Sequence, residues 1–148
     1  LEPWAKHTTG DTDIRARRWL PLDFDPKRAS GISSTDEEHE AAIERARQCR
    51  DFLVLNDWPE PIVADSGNGA HLLFRIDLPN DDNARTLLQR LLESLAVQFS
   101  DDVVAVDRTT FNAARIWKLY GTPARKGEAT ADRPHRLARI LEYPPWAR

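Results

Sequence analysis

The chain has 148 residues, 41% of them apolar and 30% charged, with a formal net charge of −3 and a single cysteine. That length suits one domain with a two-layer core and no disulfide, and the net charge argues against a generic nucleic-acid glue. Cys49 alone excludes an internal bridge and a cysteine-rich zinc site, since His7, His39, His71 and His135 lack finger-like spacing around it. No apolar stretch nears the roughly 20 residues of a membrane span and no signal-peptide pattern opens the chain, so a cytoplasmic protein without a membrane role is expected. The sequence opens on Leu1-Glu2-Pro3-Trp4 and holds no methionine. Residues 1–148 therefore read as a single domain cut from a longer protein.

The first strand signal is the apolar run Trp19-Leu20-Pro21-Leu22, which ends in Asp23-Phe24-Asp25. Side chains alternate along a strand, so both carboxylates share one face while Leu20, Leu22 and Phe24 take the other. Pro26 to Ser34 is a loop. Thr35 followed by Glu38 makes a capping box, and Ala42, Ala46, Cys49 and Leu53 recur at helical spacing, predicting a helix from Asp36 to about Asn56. Trp58-Pro59-Glu60-Pro61 ends it.

Ile62-Val63-Ala64 is a short strand, joined by Ser66-Gly67-Asn68-Gly69 to a longer one, His71 to Leu78. In the latter Leu72, Phe74, Ile76 and Leu78 form a core face, and His71, Leu73, Arg75 and Asp77 an open, polar one. Asn80 to Asp82 caps a second helix whose apolar stripe holds Leu87, Leu88, Leu91, Leu92, Leu95 and Phe99. Val103 to Val106 is a further strand closed by Asp107. Arg115 to Tyr120 and Arg136 to Leu141 read as two more, separated by the loop Gly121 to Pro134.

This order, β-α-β-β-α-β with additional C-terminal strands, predicts an α+β fold: an RRM-like or ferredoxin-like core, its antiparallel sheet carrying two helices on one face. On the opposite face Asp23, Asp25 and His71 come together, and Asp107 joins them if Val104 and Val106 point inward. Three carboxylates suit a hard cation, Mg²⁺ or Mn²⁺, that keeps positions open for phosphate oxygens. Asn-Gly between two strands is also the ordinary hairpin signal, and a histidine beside it is often a plain surface or core residue. The extra glycines and Ser66 let backbone N–H groups approach an anion, which makes Ser66, Gly67, Asn68, Gly69 and His71 candidate phosphate contacts. From Arg108 onward nine basic residues face three acidic ones, whereas the acidic excess lies between Asp36 and Glu60.

Asp23-Phe24-Asp25, Ser66-Gly67-Asn68-Gly69-Ala70-His71 and Val106-Asp107, in this order and on these strands, resemble the three motifs of the archaeo-eukaryotic primase superfamily, especially its prokaryotic primase-polymerases. Arg108 to Thr122 is similar to the segment after the third motif, and the likeness spans about Leu22 to Lys126. The resemblance implies a DNA primase or polymerase, a template-directed nucleotidyltransferase extending a primer 3′-hydroxyl. It makes Asp23, Asp25 and Asp107 the catalytic metal ligands, for Mg²⁺ or Mn²⁺. Ser66, Gly67, Asn68, Gly69 and His71 would hold the nucleotide, and Arg115 and Lys118 would lie against its triphosphate, although in an unbroken strand these last two face opposite sides. Implied partners are nucleoside triphosphates, template and primer nucleic acid, and a helicase or other replication or CRISPR component, fused or associated. The chain departs from that family in two ways: an α/β module normally precedes the first motif, where here 22 residues do, and the superfamily's zinc-binding insertions are absent.

Two other classes compete. A non-catalytic RRM-like nucleic-acid-binding module would carry stacking aromatics on its central strands, where this chain has Asp23, Asp25 and His71. A metal-dependent nuclease or replication initiator would need a nucleophilic tyrosine, for which Tyr120 and Tyr143 exist, and a histidine pair, for which no His-X-His exists.

Overall fold

A computed structural model describes residues 7–144 and 146. After a short 3₁₀ turn at Asp11–Asp13 the elements run β1 (Ala16–Pro26), α1 (Asp36–Leu55), β2 (Ile62–Asp65), β3 (Ala70–Pro79), α2 (Asp82–Phe99) and β4 (Val104–Val106). Three short strands follow: β5 (Pro123–Ala124), β6 (Arg136–Leu137) and β7 (Arg139–Glu142). The main sheet has the order β4-β1-β3-β2-β7, every pairing antiparallel, and β5 pairs with β6 apart from it. Each helix thus links two strands that a third separates, giving two interleaved split βαβ units. The expected α+β core with added C-terminal strands is present.

Local chemistry explains these elements. Thr35 Oγ1 accepts from Glu38 N–H, and Glu38 Oε2 accepts from Thr35 N–H, so the capping box starts α1 as expected. Its buried face is His39, Ala42, Ala46, Cys49 and Leu53; the small residues let the helix lie close on the sheet. Burial pushes the Cys49 thiol up to about 12, so it serves packing. Asp81 caps α2 by accepting from Ala84 N–H, and Leu88, Leu92, Leu95 and Phe99 pack inward with Ala84 and Ala96. Leu87 falls outside that stripe and is exposed, a correction to the sequence reading: one step before Leu88 is about 100° around the helix.

Leu20, Leu22, Phe24, Leu72 and Phe74 meet these helix faces and are essentially inaccessible to solvent. Burying each such side chain is worth about 1.5–3 kcal/mol, enough to fix which face of β1 and β3 turns inward. A one-residue slip would invert every assignment.

Two sequence expectations change. Arg115 to Tyr120 is not a strand. Both edges of β1 and of β3 are already paired, so the segment has no free central edge to join. It crosses the supposedly open face, turning Trp117 and Tyr120 inward and leaving Ile116 and Leu119 exposed. Inward residues three apart do not fit the two-residue alternation of a strand. Arg136 to Leu141 does form strand, but Ala138, fully buried, divides it: β6 pairs with β5, and β7 moves on to β2.

Candidate active site

The β1–β3 register places Asp23 directly opposite His71. His71 Nε2 lies 3.5 Å from Asp23 Oδ1, and Asp25 follows on the same face. These residues open onto a cleft of about 270 Å³ whose other walls are Ser66, Asn68, Lys118, Ala124, Arg125 and Lys126. One side is acidic, the other basic.

The two carboxylates crowd each other. Burial and the neighbouring Asp23 charge push the Asp25 carboxyl above its ordinary value, although Arg28 and Lys126 pull the other way. Arg28 Nη1 is 3.6 Å from Asp25 Oδ1 but donates to Pro26 O at 2.9 Å, so it gives only partial compensation. A cation placed between these groups would relieve the repulsion.

Asp107 arrives differently. Its N–H donates to Asp23 O at 2.9 Å, continuing the β1–β4 ladder and setting it beside Asp23. Its carboxylate, however, accepts from Thr109 N–H and Thr109 Oγ1 at 2.7 and 2.8 Å, closing a turn. Among the described residues no three His, Cys, Asp or Glu side chains stand gathered for a metal ion. Mg²⁺ is commonly held by one or two carboxylates together with phosphate oxygens, and the Asp23–Asp25 pair fits that pattern. The fit is to a cation that arrives with phosphates.

His71 is 4% exposed, buried under the crossing segment. The Trp117 ring sits 4.4 Å from its ring, and Tyr120 Oη is 2.8 Å from its Nδ1. Trp117 Nε1–H can only donate, and it donates to Tyr120 Oη at 3.1 Å. Burial first, with the Asp23 charge adding, holds the Tyr120 hydroxyl protonated up to about 12, even against the Trp117 hydrogen bond. With that proton retained and Trp117 as donor to its oxygen, the arrangement that also turns the His71 ring N–H toward the Asp23 carboxylate has Tyr120 donating to Nδ1. This assigns the ring proton to Nε2, toward Asp23 and the cleft.

The turn before β3 is built for packing as much as for contact. Gly67 N–H donates to Asp65 Oδ1, and the N–H groups of Asn68 and Gly69 to Ser66 Oγ, so the backbone donors expected to face an anion are spent within the turn. Gly67 has φ 89°, and a Cβ there would stand 2.5 Å from Ala124 Cβ; one at Gly69 would stand 2.2 Å from Phe24 O. Both glycines admit close neighbours. Asn68 Oδ1 accepts from Ser34 N–H at 2.9 Å, tying the turn to the loop before α1. Ser66 keeps its hydroxyl proton to donate into the cleft.

Beneath the turn lies a buried pair that sequence reasoning passed over. His39 Nε2 meets Asp65 Oδ1 at 2.8 Å, and Asp65 is 2% exposed. Burial acts to raise the Asp65 carboxyl, but the His39 and Gly67 hydrogen bonds and the His39 and Arg139 charges bring it below its ordinary value.

Of Arg115 and Lys118, the pair expected against the triphosphate, only Lys118 lines the cleft. Arg115 turns away, hydrogen-bonds the Thr109 carbonyl and hydroxyl, and lines a separate cavity. Arg125 and Lys126, read in the sequence merely as part of a basic tail, supply the remaining charge. Their signal was weak because loop position, not periodicity, brings them here. Other tail cations are used internally: Arg133 forks onto Glu38 at 2.8 and 3.0 Å, and Arg136 pairs with Asp36. The Arg133 fork holds the Glu38 carboxyl below its ordinary value. Arg148 lies outside the described residues. No helix among the described residues is long and apolar enough to cross a membrane. Compared with family models, curated proteins and solved structures, the chain gives no match.

Proposed function

We propose that this domain is the catalytic core of a template-directed nucleotidyltransferase, a DNA primase or polymerase of the archaeo-eukaryotic primase type, and that its cleft holds the triphosphate of an incoming nucleotide. The observation that carries the reading is one cleft in which two crowded carboxylates face three cations, with His71 and Ser66 donors between them. A divalent cation, Mg²⁺ or Mn²⁺, held by Asp23 and Asp25 would neutralise phosphate charge and favour ionisation of the primer hydroxyl. Asp107 would join as a ligand by releasing Thr109.

The chain's own groups do the rest. Arg125 and Lys126, exposed at the cleft wall, and Lys118, whose Nζ also donates to Pro123 O at 3.3 Å, bind phosphate oxygens. His71 presents Nε2–H from a rigid position, fixed behind by Tyr120 and Trp117, and Ser66 adds a hydroxyl donor, so the leaving end of the triphosphate meets preset hydrogen bonds. Template and primer would lie along exposed basic residues outside the cleft such as Arg108. A cytoplasmic setting and association with other replication components go with this reading.

Against a binding module, the face offers carboxylates where stacking rings would be needed, and Trp117 and Tyr120 are engaged with His71. Against a nicking enzyme, Tyr120 is partly buried and its hydroxyl holds its proton far above neutral pH. Primer extension on a templated substrate with Mg²⁺ or Mn²⁺ tests the proposal, comparing the wild-type protein with its Asp23→Ala plus Asp25→Ala variant. Extension by wild type and loss in the variant are expected. Undiminished extension by the variant would sink it.

A further inference from the structure

A second cavity, of about 400 Å³, lies farther along the sheet from the carboxylates and has a different chemistry. Its walls are mostly apolar: Trp19, Leu73, Phe111, Ala113 and Trp117 contribute, and no Asp or Glu lines it. Into this lining come three arginines, Arg17 and Arg18 from β1 and Arg115 from the crossing segment; Arg18 is already paired with Asp77, which leaves Arg17 and Arg115 for a ligand.

Both arginines are incompletely satisfied. Arg17 is 93% buried, since only 7% of its surface remains exposed, and its Nη1 donates to Phe111 O. Arg115 donates through Nη2 to the carbonyl and hydroxyl of Thr109. The Nε atoms of both are buried and have no hydrogen-bond partner among the described residues. Those two Nε atoms are closed to solvent; Arg17 Nη2 and Arg115 Nη1 make no hydrogen bond among the described residues and are the guanidinium donors left for an oxygen ligand. Desolvation depresses the Arg17 pKa, with the Asp11 charge opposing it; Asp11 and Asp81 are committed to backbone N–H groups of Ala114 and Ala84.

We propose that this cavity is a binding site for a small anion with an apolar, flat body, its carboxylate or similar oxyanion accepting from Arg17 and Arg115 and its body lying among Trp19, Trp117 and Phe111. The pairing follows from the walls. Guanidinium groups offer two adjacent N–H donors to an oxyanion, and the aromatic sides favour a planar apolar group over a hydrated one. A free inorganic anion would leave the apolar walls unused, and a neutral hydrocarbon would leave the open guanidinium Nη donors unpaired. This site shares Trp117 with the packing behind His71, but its arginines are not those of the carboxylate cleft and it does not depend on the nucleotidyltransferase reading.

Calorimetric titration of the purified chain tests it with 2-naphthoate as the probe, 2-naphthylmethylammonium as a near-isosteric cation and benzenesulfonate as a smaller anion. Saturable one-to-one binding of 2-naphthoate is expected, at least tenfold tighter than the cation. Arg17→Gln should weaken it tenfold or more. Ala113→Phe, which puts a large side chain into the lining while keeping both arginines, should abolish it, with circular dichroism showing both variants folded. Asp23→Asn should leave it unchanged. Benzenesulfonate binding more weakly than 2-naphthoate supports a role for the apolar body; equal binding overturns it. No saturable binding of 2-naphthoate by wild type, equal affinity for the cation, or wild-type affinity in a folded Ala113→Phe variant would overturn the site.

Discussion

At the start of α1, Glu38 and Asp36 take Arg133 and Arg136 in direct ion pairs, whereas earlier in the same C-terminal loop Arg125 and Lys126 face Asp23 and Asp25 across the cleft with no ion pair to either. The residue types are the same, and the outcomes differ because of what the backbone allows. Ser33 Oγ donates to Lys126 O, and the Arg133 and Arg136 side chains donate to Ser33 O and Ser34 O, which seats the loop so that its later arginines reach the helix. Its earlier cations are left pointing over the cleft. Satisfied charges there act as a clamp, and unsatisfied ones form a place for a ligand that brings its own charge.

Removing a carboxylate from the cleft should separate the two most sharply. Asp25→Asn is expected to cut primer extension on the order of a hundredfold or more, while the thermal midpoint holds or rises because a crowded, partly buried charge is gone. A matching fall in stability would show that Asp25 is a structural residue instead. Gly67→Val should act on both regions at once: its side chain would collide with Ala124 in a backbone conformation branched residues avoid, costing about 1–3 kcal/mol. Denaturant unfolding would read that loss, and nucleotide affinity should fall with it as Arg125 and Lys126 are displaced. Arg125→Ala with Lys126→Ala should instead weaken nucleotide binding about tenfold with stability unchanged.

The smallest effect belongs to the clamp. Glu38→Gln keeps a residue able to cap α1 but gives up the charged fork with Arg133, and should cost under about 1 kcal/mol at neutral pH. Because the folded Glu38 pKa is depressed, its contribution is present above the ordinary glutamate value and lost as pH falls through the folded one. The wild type should therefore converge with the variant in acid. A constant gap across that range, measured by thermal unfolding, would contradict the clamp.

Much of this was legible in the sequence where local rules are strong. The alternation around Asp23-Phe24-Asp25 gave the faces of β1, and Thr35 with Glu38 gave the start of α1; both depend on neighbours a few residues away. That Asp23 and His71 share a face followed from the same alternation, whereas their direct opposition is set by the β1–β3 register, which alternation does not specify. Arg115 to Tyr120 misled because its apolar and basic residues read as a strand, yet pairing needs a vacant edge, and sheet order decides that. Arg125 and Lys126 were hidden for a related reason: a loop carries no period, and their place is set by Gly67 against Ala124 and by the Ser33 anchor. The His39–Asp65 pair escaped because burial of two polar groups together is a tertiary fact.

The central claim is that Asp23 and Asp25 hold a phosphate-borne cation in the cleft. Equilibrium binding of a non-hydrolysable nucleoside triphosphate, measured with Mg²⁺ and again with a chelator in wild type and in Asp23→Asn plus Asp25→Asn, tests it most directly. Saturable binding by wild type in Mg²⁺ alone, lost with the chelator and in the folded double variant, is the predicted result. Binding that is equally strong without metal, or equally strong in the double variant, would contradict it.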